Sequence, residues 1–281
     1  MAKVYDALRR AEQERKRKAG DESAPAALGV ELAETTPAGR RSRRSWRPWR
    51  WRRRKRRPRS GSSAINKRRI ALLQPESYVA EQYRALRGRI DAIAAQRPIR
   101  TLTVTSALPG EGKTTAAINL AIVTALSLGR RVLLIDCDLR KPKVHEALGL
   151  RPVAGLAEVL SDQVNVDDAI VKVEGVNLDV LPVRSRPVNP SELLGSAKMR
   201  ELLDEVNRRY DRVILDTPAA LGLPDAKTVS DLSDGVVMVV RADTTLQQDV
   251  QATLEFLDQR RLLGLLLNGA HAHRGRYGYA S

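Results

Sequence analysis

The nine residues ALPGEGKTT, at 107–115, constrain the fold more than any other stretch. They run from an apolar segment, TLTVTS at 101–106, directly into a helical one, AAINLAIVTALSLG at 116–129. A glycine-rich turn from a strand into a helix gathers backbone N–H groups and the positive end of the helix at one point, which makes an anion site. Gly110 and Gly112 allow the backbone to curl, Lys113 supplies a long cationic arm, and Thr114 offers a hydroxyl to a hard cation. The spacing is that of a P-loop, GxxxxGK[ST], with Ala107 standing at the first glycine position. Pro109, Gly110, Glu111, Gly112, Lys113, Thr114 and Thr115 are therefore expected to hold a nucleoside triphosphate, ATP, together with Mg2+.

The rest of the chain repeats the alternation that this loop requires. Apolar runs at 131–138 (RVLLIDCD), 177–183, 212–218 (RVILDTP), 235–241 and 262–268 are separated by helical patterns, as in successive βαβ units. With 101–106 they make six strands, and the expected fold class is α/β, a P-loop NTPase with an open, mostly parallel sheet and helices on both faces. Ligands in such sheets gather at the carboxyl ends of the strands. Asp136 and Asp138 end the second run and Asp216 the fourth. Oxygen ligands at those ends suit a magnesium-nucleotide site. While the strand stays extended, Asp136 and Asp138 share a face.

The net charge of +16 is localised: thirteen Lys or Arg and no acid lie between Arg40 and Arg59, leaving a nearly neutral remainder. Residues 2–18 read as a short charged helix, and 20–63, rich in Pro, Gly, Ser and Arg, as disordered. Four regions follow: a charged helix and basic tail at 1–65, a helical segment at 66–99, the P-loop domain at 100–270, and a tail at 271–281. All three tryptophans, Trp46, Trp49 and Trp51, fall in the basic block, a mixture that suits an anionic membrane surface better than nucleic acid. No segment is apolar enough to cross a bilayer, and the single cysteine, Cys137, forms no intrachain disulfide and reads as core packing. The expected location is the cytoplasm, at the membrane through a partner or the basic tail. His145, His271 and His273 have no metal-ligand spacing and read as surface or loop residues.

Taken together, ALPGEGKTT, LLIDCDLRKP at 133–142 and VILDTPA at 213–219 resemble the bacterial tyrosine kinases, polysaccharide-associated autokinases related in fold to the ParA and MinD ATPases. The family's second motif, three aliphatics then DxDxR, is met from Leu133 to Arg140, and its third from Val213 to Pro218. ParA-type ATPases carry an additional lysine early in the loop, where this chain has Ser106, Ala107, Leu108 and Pro109. A ParA- or MinD-like switch that positions cargo on membrane or DNA is the alternative reading.

The resemblance implies more than the fold. Glu81, Arg84 and Arg87 match its ExxRxxR motif, which implies a contact between subunits of a homo-oligomeric ring, although on spacing alone an intrahelical salt bridge is favoured. Tyr277 and Tyr279, in the C-terminal RGRYGYAS, stand where the family places phosphoacceptors, with a sparser cluster than usual. Lys113 then holds phosphates, Thr114 with Asp138 or Asp216 organises magnesium, Asp136 accepts the tyrosyl proton, and Arg140 stabilises charge; the roles of Asp136 and Asp138 are interchangeable at this stage. A transmembrane activator of the polysaccharide co-polymerase type is the implied partner, and polysaccharide synthesis and export the setting. NPSELLGS at 189–196 also resembles a family stretch and has no assigned chemistry.

Overall fold

The structure, a computed structural model, describes residues 69–127 and 129–270. The expected helix at 2–18, the basic block at 40–59 and the tail at 271–281 lie outside the described residues.

Elements follow in the order α1 (Ile70–Leu73), α2 (Tyr78–Ala94), β1 (Thr101–Ser106), α3 (Lys113–Ala125), β2 (Val132–Asp136), α4 (Val144–Leu148), α5 (Leu156–Leu160), α6 (Val166–Ala169), β3 (Val171–Lys172) and β4 (Leu178–Leu181). Then come α7 (Pro190–Gly195), α8 (Ala197–Arg209), β5 (Arg212–Asp216), α9 (Asp225–Asp231), β6 (Gly235–Arg241), α10 (Gln247–Phe256) and β7 (Leu262–Asn268). The seven strands form one sheet in the order β3-β4-β2-β5-β1-β6-β7. All six expected strands are present and mutually parallel. The seventh, β3, is a two-residue antiparallel addition on the outside of β4, too short to leave a periodic signal in the sequence.

Period-2 alternation divides the buried strand residues between two layers. Leu134 and Ile214 point into the layer of α1, α2 and α3, with Ala80, Tyr83, Ile90, Ile118 and Ile122. Leu133, Ile135, Val213 and Leu215 point into the opposite layer, with Met199, Leu202, Leu203 and Val206 of α8. Those four positions of α8 have the i, i+3, i+4, i+7 spacing of one helical stripe, and Ser196 caps the helix by accepting from the Met199 N–H at 3.2 Å. The P-loop helix α3 is different: ten consecutive residues, from Ala116 to Ala125, are buried. It is covered by the sheet on one side and by α2 on the other, so it shows no polar face in the sequence.

The strand order matters for the site. β5 lies between β2 and β1, which brings the ends of β1, β2 and β5 side by side, with Asp136 opposite Asp216 in register.

Ile214 lies in the central strand with none of its side chain exposed. Ile214→Ala should lower unfolding stability by about 2 to 5 kcal/mol. Urea denaturation should show this as a lower midpoint at an unchanged m-value, whereas Val188→Ala, at a fully exposed position, should leave the midpoint in place.

Candidate functional site

The loop between β1 and α3 is held open from outside. Gly110 and Gly112 have φ of +89° and +95°, in the left-handed region. The Gly110 carbonyl accepts from Arg241 Nη1 at 2.9 Å, and the Glu111 carbonyl from Asn268 Nδ2 at 2.7 Å. Asn268 also lies so close over Gly112 that a Cβ there would collide with its carboxamide. The Glu111 carboxylate is buried within the loop's own frame, accepting from the Leu108 N–H at 3.0 Å and from the Thr245 hydroxyl. Glu111 therefore shapes the loop and turns its charge away from a bound phosphate. Ala107, in the usual glycine position, is buried and has no positive φ, so the backbone there has no need of glycine.

Three carboxylates face this loop. Asp136 ends β2 fully buried: its Oδ1 accepts from the Asp138 N–H at 3.1 Å, and its Oδ2 from the Lys143 and Val144 N–H groups at 3.2 and 3.1 Å. β2 stops at Asp136, two residues short of the expected end, so Asp138 lies in the following loop and the shared strand face is lost. There its Oδ1 accepts from the Lys141 N–H at 2.9 Å, and its Oδ2 meets Lys113 Nζ at 3.3 Å. Asp216 ends β5 fully buried, with no backbone N–H on either oxygen and only the Thr114 hydroxyl and the Lys113 ammonium beside it.

The electrostatics follow from this crowding. Burial, reinforced by the charge of Asp216, pushes the Asp136 carboxyl well above the usual carboxylate range, against the pull of the Val144 and Asp138 N–H groups. Burial pushes Asp216 up to about 7, while the Lys113 charge and the neighbouring Thr114 hydroxyl pull it down. Asp136 and Asp216 are thereby pushed toward their protonated forms, beside the Lys113–Asp138 ion pair. A buried carboxylate without partners costs free energy that a divalent cation would recover. The residues present thus fit a magnesium-nucleotide complex: backbone amides and Lys113 for phosphate, Thr114, Asp138 and Asp216 for the cation.

Arg140 does not stand free. Its Nε donates to Asp225 Oδ2 at 2.7 Å and its Nη2 to Ser191 Oγ at 2.9 Å. Ser191, in α7, belongs to the stretch 189–196 that had no assigned chemistry, and no motif marks Asp225, which opens α9. Both face Arg140 only because the chain folds back across more than fifty residues.

A family profile described as an AAA domain matches residues 99–262. The tyrosine-protein kinase YwqD of Bacillus subtilis is 40% identical over 222 residues, covering 77% of this chain and 93% of that protein. The putative tyrosine-protein kinase CapB of Staphylococcus aureus is 30% identical over 69% of this chain and 86% of its own length. The chain spans 28% of a third relative, the tyrosine-protein kinase wzc of Salmonella typhimurium. Among solved structures, the kinase domain of Escherichia coli tyrosine kinase ETK superposes with a TM-score of 0.70 at 32% identity, covering 75% of this chain and 83% of that one. The cell division ATPase MinD of Pyrococcus furiosus reaches 0.51 at 27% identity, covering 60% of this chain and 70% of that one.

The chain belongs to the bacterial tyrosine kinase family.

In this kinase the ExxRxxR residues divide. Glu81 and Arg84 form an exposed intrahelical pair at 2.7 Å, as their spacing suggests, and Arg84 also donates to the Pro75 carbonyl at 2.6 Å. Arg87 instead turns inward, donating to the Val123 carbonyl at 2.8 Å near the end of α3 and lying 3.9 Å from Asp91. Tyr277 and Tyr279, with His271 and His273, lie outside the described residues. His145 sits in α4, half-buried at the surface beside Val144, Ala147 and Leu148, which face the core. Cys137 is fully buried, as expected of a packing residue.

The raised Asp216 carboxyl predicts a pH dependence for the nucleotide-free, chelator-treated kinase. A group whose folded pKa lies above its unfolded value of 3.8 contributes stability that is complete below that value and is lost as pH rises through the folded value of about 7. Unfolding free energy should therefore fall between about pH 4 and pH 7, and Asp216→Asn should flatten the fall. An equally steep profile in the variant would place the proton elsewhere.

Proposed function

We propose that the kinase transfers phosphate from ATP to tyrosines of its own C-terminal tail, Tyr277 and Tyr279, with one subunit acting on the next. The observation that carries this reading is the gathering of Asp136 and Asp216, buried at two adjacent strand ends, with Asp138 of the following loop paired to Lys113. Bound there, magnesium-ATP supplies the phosphoryl group and the positive charge that the three acids lack.

Among the described residues no three His, Cys, Asp or Glu side chains converge to hold a metal unaided. A magnesium ion would draw on Thr114 and on Asp138 or Asp216, with phosphate and water filling its remaining positions. Lys113, paired with Asp138 at 3.3 Å, would turn to phosphate and leave the Asp138 carboxylate free.

As proton acceptor Asp138 is better placed than Asp136. Asp136 is enclosed, and both its oxygens are engaged by three backbone N–H groups. Holding the loop after β2 is its role. Asp138 keeps an oxygen facing Lys113 and is the acceptor in this reading. Arg140 stands at the same mouth, near enough to feel the Asp138 charge.

Incubation of the full chain with Mg-ATP and the intracellular segment of a membrane activator should yield phosphotyrosine in the tail, absent from Lys113→Met. Asp138→Asn should lower its rate by about a hundredfold or more while leaving Mg-free nucleotide binding intact, because Lys113 loses its competing partner. ATP turnover without phosphotyrosine would favour the MinD-like switch instead.

Polysaccharide synthesis and export, an activator of the co-polymerase type and a homo-oligomeric ring complete the proposal on the strength of the family. No helix among the described residues is long and apolar enough to cross a membrane. Attachment at the cytoplasmic face would come through that activator or through the basic block at 40–59, each Lys or Arg contributing about 1 kcal/mol on acidic lipid. Deleting 40–59 should abolish flotation of the isolated chain with phosphatidylserine vesicles; unchanged flotation would remove the tether from the proposal.

A further inference from the structure

Asp225 is an acid that the chemistry above leaves unused. It opens α9 with its side chain 1% exposed, and it grips Arg140 with both oxygens: Oδ2 accepts from Nε at 2.7 Å and Oδ1 from Nη2 at 3.4 Å. Ser191 closes the triangle, its hydroxyl donating to Asp225 Oδ1 at 2.5 Å and accepting from Arg140 Nη2 at 2.9 Å. The Arg140 side chain is 36% exposed, so its own surroundings confine it little, whereas the buried Asp225 has no freedom to move. In such a pair the buried partner sets the position and the exposed one takes it.

The alternative position for Arg140 is close by. Asp138 stands two residues before Arg140 in the loop after β2, and its charge acts on the guanidinium. A planar fork held by one carboxylate through two N–H groups is not available to a second. The triangle also joins three segments that are distant in the chain: the loop after β2, which carries Asp138; α7; and α9, which follows the loop after Asp216.

We propose that Asp225, bridged by Ser191, is a positioning residue for phosphoryl transfer: it holds Arg140 at the mouth of the nucleotide site, away from Asp138, and fixes the spacing of the loops that follow β2 and β5. The inference rests on the reading that Arg140 acts at that mouth. It assigns a role to a serine and an aspartate outside all three nucleotide motifs.

A double-mutant cycle on the full chain tests it, reading kcat and KM for ATP in phosphotyrosine formation. Asp225→Asn keeps the shape but loses the charged grip, and should lower kcat about tenfold or more with KM for ATP little changed, since displacing a reacting group by even an ångström is costly. Arg140→Ala should do the same, and Asp225→Asn added to it should cause no further loss. Arg140→Lys should not restore the rate, because a point charge cannot fill the fork. An equal fall from Asp225→Asn in both backgrounds, or a change in melting temperature alone, would overturn the proposal. If Asp225→Asn does not fold, Ser191→Ala carries the same cycle: a loss of a few-fold that vanishes beside Arg140→Ala supports the bridge, and an additive loss overturns it. Hydrogen exchange at 139–143 reports on the clamp without any activity. Faster exchange there in Asp225→Asn, with the strands unaffected, is the expected result, and unchanged exchange refutes it even where the wild-type chain forms no phosphotyrosine, an outcome that faults only the functional reading.

Discussion

Two aspartates, Asp136 and Asp216, sit opposite each other in register at the ends of adjacent parallel strands, both fully buried. Water cannot screen them and each disfavours the charge of the other. Much of the architecture around the site answers that one constraint. Asp136 is satisfied by three backbone N–H groups, which draws the chain after β2 into a tight loop and delivers Asp138 to Lys113. Asp216 has no such backbone cover.

The P-loop is shaped by the far side of the sheet as much as by its own glycines. Arg241 and Asn268, at the ends of β6 and β7, accept the task of holding the Gly110 and Glu111 carbonyls, and Thr245 binds the Glu111 carboxylate. Those anchors hold the left-handed conformations at 110 and 112 from outside the loop. On the opposite flank, Arg140, Ser191 and Asp225 tie the β2 loop to α7 and α9. The site is thereby bounded on both sides by contacts made between segments remote in sequence.

The nucleotide loop and the strand-end acids were legible in the sequence because their signals are local: a glycine spacing between a strand and a helix, and an acid at the end of an apolar run. Helix α8 was equally open to reading, since it covers the sheet with one stripe. The short antiparallel β3 and the engagement of Asp136 were hidden, the first for want of length and the second because the backbone N–H groups of 143 and 144 carry no side-chain signature. Asp225 was invisible for a different reason. An aspartate at the start of a helix reads as an ordinary first-turn acid until its partner is known.

By itself the sequence determined that the chain is an α/β P-loop protein with acids at two strand ends, and that its charge is gathered into one block, because patterns of 2 and 3.6 residues and the backbone demands of a phosphate loop are written within a few neighbours. Tertiary structure decided which acid is enclosed and which is free, why Ala107 can replace a glycine, that Arg87 faces the core, and what holds Arg140. Those outcomes depend on strand order, which placed β5 between β2 and β1, and on burial, which turns a carboxylate from a solvated charge into one that must find a partner.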